Sequence, residues 1–145
     1  MQITRQADYA LRAMLYLAKH ELTRHDTDWK SATTKEIADE KLIPSSFLAK
    51  IISQLSIAGL IRTSRGASGG VALARKPEEI SLLDVVEAID GPITLNECTT
   101  NPSICSFGDS CPIHDVWCET QAELVSRLSE ATFDKLLERE KAKMG

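Results

Sequence analysis

Ile3, Ala7, Ala10, Leu11, Met14, Leu15 and Ala18 recur at intervals of three and four residues, the spacing of one helix face. The pattern predicts an amphipathic helix over residues 4–20, with Thr4 as its cap. Residues 21–32, ELTRHDTDWKSA, lose the period and read as a loop. Trp29 is expected there as a packing anchor, and His20 and His25 as surface residues without companion ligands. Thr33 or Thr34 then opens a short helix through Ile37 and Ala38 to about Lys41, and the turn Leu42-Ile43-Pro44 stops it. Ser45 or Ser46 opens another, with Phe47, Leu48, Ile51, Ile52 and Leu55 facing inward. Gly59 supplies the left-handed residue that ends it.

A short helix, a tight turn and a longer second helix form a helix-turn-helix. The polar face of the second helix offers Ser45, Ser46, Lys50, Ser53 and Gln54 to a groove. Residues 60–63 and 71–74 read as two strands, and Ser64-Arg65-Gly66-Ala67-Ser68-Gly69-Gly70 joins them. Placed after a helix-turn-helix, such a hairpin is a wing. Its glycines let backbone amides approach phosphates closely, and Arg65 can reach a minor groove. A dinucleotide-binding fingerprint would need Gly-x-Gly-x-x-Gly opening a helix within a strand–helix–strand unit. That context is absent.

Further on, Ser81 and Asp84 have the spacing of a capping box. They start a helix through Val85, Val86 and Ile89, closed by Gly91. After Pro112 a long helix carries Ile113, Val116, Trp117, Leu124 and Leu128, apolar on more than one side. In so small a chain that pattern predicts packing against a second copy. Thr132 caps a final helix with Phe133, Leu136 and Leu137.

At 145 residues and 43% hydrophobic, the chain can bury a core as one domain or a compact domain with an appendage. No apolar run approaches the eighteen or so residues of a membrane span, and the polar start MQITRQADYALR does not read as a signal peptide. The expected setting is the cytoplasm, with no membrane partner. The net charge of −4 hides an asymmetry: residues 1–75 hold 11 Lys+Arg against 7 Asp+Glu, and residues 76–145 hold 6 against 14. The front half is locally +4, consistent with an electrostatic footprint for a polyanion.

All four cysteines lie in one stretch, Cys98-TTNPSI-Cys105-SFGDS-Cys111-PI-His114-DVW-Cys118. Its first part is turn-forming, so it has little to give a core. Its clustering argues against four unrelated buried thiols, and a reducing compartment argues against a disulfide staple. Thiols and imidazole are ligands for zinc, copper(I) or iron–sulfur clusters. Structural zinc usually takes close pairs, and only Cys111-x2-His114 is one. From spacing alone, zinc and iron–sulfur stand side by side.

The opening TRQADYALRAMLYLA, the helix-turn-helix, the RGASGG wing, the SLLDVVEAIDG segment and the cysteine loop together resemble one family. It is the winged-helix iron–sulfur transcriptional regulators of the IscR and NsrR type, and the likeness covers nearly the whole chain. The resemblance implies a mostly α fold with a small β-hairpin wing: a winged helix-turn-helix DNA-binding domain plus a long C-terminal dimerisation helix. Residues 1–80 would form the DNA-binding domain with the first helix, and 81–145 the cluster loop (98–111) and dimerisation helices. It implies cluster ligation by Cys98, Cys105 and Cys111, with His114 as fourth ligand, ahead of Cys118 and of Asp8 reaching across a dimer. A 2Fe–2S cluster is placed ahead of 4Fe–4S. Cys118 departs from the family pattern.

The DNA-contact set is Thr34, Ser45, Ser46, Lys50, Gln54, Arg62, Arg65, Gly66 and Gly69. The expected partners are a palindromic double-stranded DNA operator and a second copy of the chain. The function expected is a DNA-binding transcriptional regulator sensing iron–sulfur status, redox state or nitric oxide. The alternative is a zinc-stabilised or thiol-switch regulator with no cluster. An electron carrier would leave the helix-turn-helix and wing unexplained, and no catalytic constellation supports an enzyme.

Overall fold

The computed structural model describes residues 2–23, 31–66 and 69–145. Among them run α1 (Arg5–Thr23), α2 (Thr34–Lys41), α3 (Ser45–Ile57), β1 (Ile61–Ser64), β2 (Gly70–Leu73), α4 (Leu82–Asp90), α5 (Pro112–Glu130) and α6 (Phe133–Met144). The fold is mostly helical with one antiparallel hairpin. The expected sites of Trp29 and His25 lie outside the described residues.

Helix α1 is the hub, and α2, α3, α4, α6 and β2 all pack on it. Its buried face is Ala7, Ala10, Ala13, Met14, Leu17 and Ala18. The four alanines let neighbouring backbones approach closely, while Met14 and Leu17 fill the gaps between them. Thr4 caps the helix as its spacing predicts, accepting from the Ala7 N–H at 3.1 Å. Its own N–H and hydroxyl donate to Asp90, which ties the start of α1 to the end of α4. The helix continues past residue 20 to Thr23.

The core does not stop at residue 80. Phe133 and Leu137 of α6 join Met14, Ile37, Ile51, Leu55, Val71 and Val85 in one cluster. The Phe133 N–H donates to the Ile80 carbonyl at 3.0 Å, and Leu82 N–H to Ala131 at 2.9 Å. Phe133 is 1% exposed, so truncating it to alanine would cost about 3–5 kcal/mol. The C-terminal helix therefore closes the domain that the N-terminal helices begin.

Local chemistry explains the turns. Thr33 caps α2 in a reciprocal box with Glu36. Leu42 ends it in the left-handed region, φ 54°, its N–H donating to the Ala38 carbonyl. Neither Ser45 nor Ser46 caps α3, contrary to expectation. Pro44 occupies that position, and its carbonyl accepts from Phe47 and Leu48 at 3.0 Å each. Phe47 also departs from its expected inward position. The inner stripe is filled by Leu48, Ile51, Ile52 and Leu55, and Phe47 stays 42% exposed. Its ring instead meets Tyr9 edge-on, centroids 5.5 Å apart.

Gly59, at φ 76°, turns the chain from α3 into the wing. The strands pair Ile61 with Leu73 through Ser64 with Gly70, one residue away from the expected bounds. Gly70 is required by close approach: a Cβ there would stand 2.5 Å from the Ala32 carbonyl. Ala32 and Val71 exchange both backbone hydrogen bonds, so the wing is anchored to the segment before α2. The Ser81–Asp84 capping box forms as read, and Gly91 closes α4.

Candidate functional site

Most of the residues singled out for a groove are exposed. Ser45, Ser46 and Lys50 are exposed on α3, and Thr34 is exposed at the start of α2. With Leu48, Ile51, Ile52 and Leu55 buried, the outer face of α3 carries Ser45, Ser46, Lys50 and Ser53 beside the exposed Phe47 and Ile57. No side chain caps α3, and both serines are exposed beside its N-terminal amides. Such a terminus attracts phosphate through aligned peptide dipoles. Arg65 and Gly66 are exposed at the wing's tip, and Gly69 is half-buried behind them. A Cβ at Gly69 would lie 2.5 Å from the Ser64 carbonyl, so the turn can close only with glycine. Arg62 is exposed on β1 and lines a narrow crevice with His20, Glu21 and Ser31.

Gln54 is half-buried rather than free. Gln6 Nε2 on α1 donates to its Oε1 at 2.5 Å. Nearby, Arg12 pairs with Asp8 at 2.8 Å and lies 5.3 Å from the centre of the Tyr9 ring. Tyr9 in turn meets Phe47. Sequence reading missed Gln6 and Arg12, since a helix period does not show which outer residues meet a segment nearly fifty positions away.

The cysteine loop is built from three single turns, Glu97–Thr99, Pro102–Ile104 and Gly108–Ser110, ending at Cys111, where α5 starts. The first turn packs on α5, and the Leu95 N–H donates to Gln121 Oε1 at 2.9 Å. Cys98, Cys105, Cys111 and His114 line one cavity of about 370 Å³, walled by Ile104, Phe107, Ile113 and Trp117. All four cysteines are free thiols.

Cys118 is not among the lining residues. It sits one turn along α5, its Sγ 3.4 Å from His114 Nε2. Asp8 is also elsewhere within the chain, at a separate surface cavity with Arg12 and Tyr9. The donors are the soft set that suits iron–sulfur or zinc. A cavity of this size exceeds one water's share of about 30 Å³ severalfold, so it has room for a polynuclear group. Among the described residues, no three His, Cys, Asp or Glu side chains already converge on a single ion.

The family profile described as Rrf2, Iron-dependent Transcriptional regulator, matches residues 3–139. The chain belongs to this family. It is 33% identical over 141 residues to the HTH-type transcriptional regulator NsrR of Shouchella clausii (strain KSM-K16), covering 94% of this chain and 89% of the relative. It is 28% identical over 137 residues to the HTH-type transcriptional regulator IscR of Pectobacterium atrosepticum, with 94% and 79% covered. Its fold is similar to that of CymR, the global cysteine regulator of B. subtilis: TM-score 0.78 at 26% identity, over 96% of this chain and 98% of the other. The Rrf2-family assignment makes this chain a winged-helix, DNA-binding transcriptional regulator rather than an enzyme. No helix among its described residues is long and apolar enough to cross a membrane.

Proposed function

We propose that this Rrf2-family regulator acts in the cytoplasm as a homodimer, and that an iron–sulfur cluster sets its affinity for a palindromic DNA operator. The observation that carries the reading is the meeting of Cys98, Cys105, Cys111 and His114 at one apolar-walled cavity. His114 shares that cavity, which favours it as fourth ligand over Cys118 and over Asp8, whose cavity is separate. A 2Fe–2S cluster ranks first, with 4Fe–4S as the alternative, and residues 98–111 form its loop. Bound there, it would supply a centre sensitive to redox state, iron supply or nitric oxide.

The protein's own residues do the rest. Gln121 and the turn Glu97–Thr99 hold the loop against α5. Anything that orders or releases the loop therefore acts on that helix. Helix α5 has no buried side chain, and Val116 is 56% exposed, which supports a second copy as its cover. Residues 1–80 would carry the DNA contacts and 81–145 the loop and dimer contacts. The contact set is Ser45, Ser46, Lys50 and Gln54 in the major groove, with Thr34, Arg62, Arg65, Gly66 and Gly69 toward the backbone or minor groove. Two recognition helices must match grooves about 34–36 Å apart, so a small tilt at α5 would change affinity. Coupling of about 1–3 kcal/mol is typical of such linkage.

The likeness to the global cysteine regulator of B. subtilis supports a second reading, a thiol-switch or zinc-stabilised regulator without iron. Anaerobic purification separates them. Visible absorption with stoichiometric iron and acid-labile sulfide, and operator binding that changes when the cluster is removed, is the expected result. Colourless protein that cannot be reconstituted, or identical binding with and without the cluster, would overturn the cluster reading.

A further inference from the structure

Phe47 is the third residue of α3, and the core leaves it out. It stays 42% exposed while Leu48, Ile51, Ile52 and Leu55 fill the inner stripe. Its spacing to Lys50 and Gln54, three and seven residues on, puts all three on one flank of the helix. A recognition helix meets base edges with its N-terminal residues, so an aromatic ring is presented at the end where sequence is read. Packing on Tyr9 accounts for only part of its surface, since the exposed fraction is what remains after that contact.

The ring is also held. Its centroid lies 5.5 Å from that of Tyr9 at an interplanar angle of 71°, the edge-to-face arrangement that aromatic pairs prefer. Tyr9 belongs to α1, where Arg12 lies 5.3 Å from its ring centre and is paired with Asp8 at 2.8 Å. Arg12 also reaches the last residue of α2, donating to the Lys41 carbonyl at 3.5 Å. Phe47 is thus backed by a row of side chains fixed at both ends. A ring clamped before it meets a partner has little freedom left to lose on binding.

The major groove displays one apolar group, the C5-methyl of thymine, and phenylalanine is among the side chains that meet it. We propose, with α3 as the helix that enters the groove, that Phe47 is a specificity-determining residue. Its exposed part packs on a thymine methyl in each half-site, and Tyr9 is the positioning residue that holds the ring for it. Phenylalanine has no polar atom to offer a base edge, so the contact reads the methyl alone. It adds an apolar element to a contact set otherwise made of hydroxyls, amides and cations.

The probe is an operator duplex selected from a random library by the parent chain, with each thymine replaced in turn by deoxyuridine, which removes only the methyl. At one thymine per half-site the parent should lose about fourfold in affinity, the worth of one buried methyl-sized group. Phe47→Ala should bind the thymine and deoxyuridine duplexes equally, with circular dichroism to verify its fold. Phe47→Leu keeps an apolar side chain and should keep part of the ratio, whereas Tyr9→Leu should shrink it with Phe47 intact. Arg65→Ala should weaken binding to both duplexes and leave the ratio as in the parent. No thymine effect in the parent, or a full effect in Phe47→Ala, would overturn the proposal. A full ratio in Tyr9→Leu would strip Tyr9 of its positioning part. Lys50→Ala tests the placement of α3 separately: an altered base preference keeps that helix in the groove even where the thymine effect is missing, and an unaltered one removes it.

Discussion

Gln6 on α1 and Gln54 on the recognition helix are joined through their side-chain amides, Nε2 to Oε1 at 2.5 Å. The bond uses the acceptor of Gln54 and leaves its NH2 group. A glutamine pairs with adenine by donating and accepting at once. With one lone pair of that oxygen taken by Gln6, the free NH2 is the readier half of Gln54, which suits guanine O6 or N7.

Gln6→Ala should therefore free the Gln54 oxygen and move base preference toward adenine at the position it faces. The expected change in discrimination is about 1–3 kcal/mol. Binding selections on operator libraries would show it, and an unaltered preference would take Gln54 away from the bases.

Arg65, exposed at the wing tip, should behave oppositely. Arg65→Ala is expected to weaken binding to all sequences alike and to reduce the slope of log affinity against log salt by about 1. Gel-shift titrations across salt concentrations measure both. Retention of the parent slope would remove the wing from the phosphate contacts.

Val116 is exposed on a helix with no buried residue, so a charge there costs the protomer little. Val116→Glu should give folded monomers with strongly reduced operator affinity. Sedimentation velocity showing an intact dimer would place the contact on another face.

Tyr16 gives a pH prediction. Burial raises its pKa above the ordinary 10.0, and the carboxylates of Glu36 and Glu40 add to the rise. A phenol whose native pKa is raised contributes stability that is complete below pH 10 and is lost as pH climbs through the native value. Glu40→Gln should bring that value down, shrink the stability lost in alkali and move the alkaline unfolding limb to higher pH. The difference in phenolate absorbance between parent and Tyr16→Phe chains reports it. An unmoved titration would leave burial as the whole cause.

Much of this was legible in the chain because periodicity and caps are local. The apolar rows of α1 and α3, the Thr33 and Ser81 boxes and the glycine turn all follow from neighbours within four residues. What escaped was settled at longer range. Phe47 lies at the edge of its stripe, where the passing Tyr9 gives it an aromatic neighbour outside the core. Ser45 and Ser46 looked like caps, but the Pro44 carbonyl already accepts the amides they would have taken. Leu42 holds a left-handed backbone that its residue type disfavours by about 1–2 kcal/mol, and nothing in its side chain announces it. Clustering marked the cysteines as a site. That three of them share a cavity with His114, leaving Cys118 outside, depended on single turns too short to carry any period.

Helix α5 begins where the loop ends and has α4 and the loop's turns as its main neighbours. A helix that buries none of its nineteen residues draws little of the packing that stabilises most helices, and a second copy is its proposed cover. Its order then depends on how often it meets a cover, and mass action ties that to concentration. Dilution should act on this molecule unevenly, loosening α5 and the thiol loop while the α1 core and recognition helix stay folded. The number of copies in a cell would thus be an input in its own right, felt at the same helix that the loop's chemistry reaches.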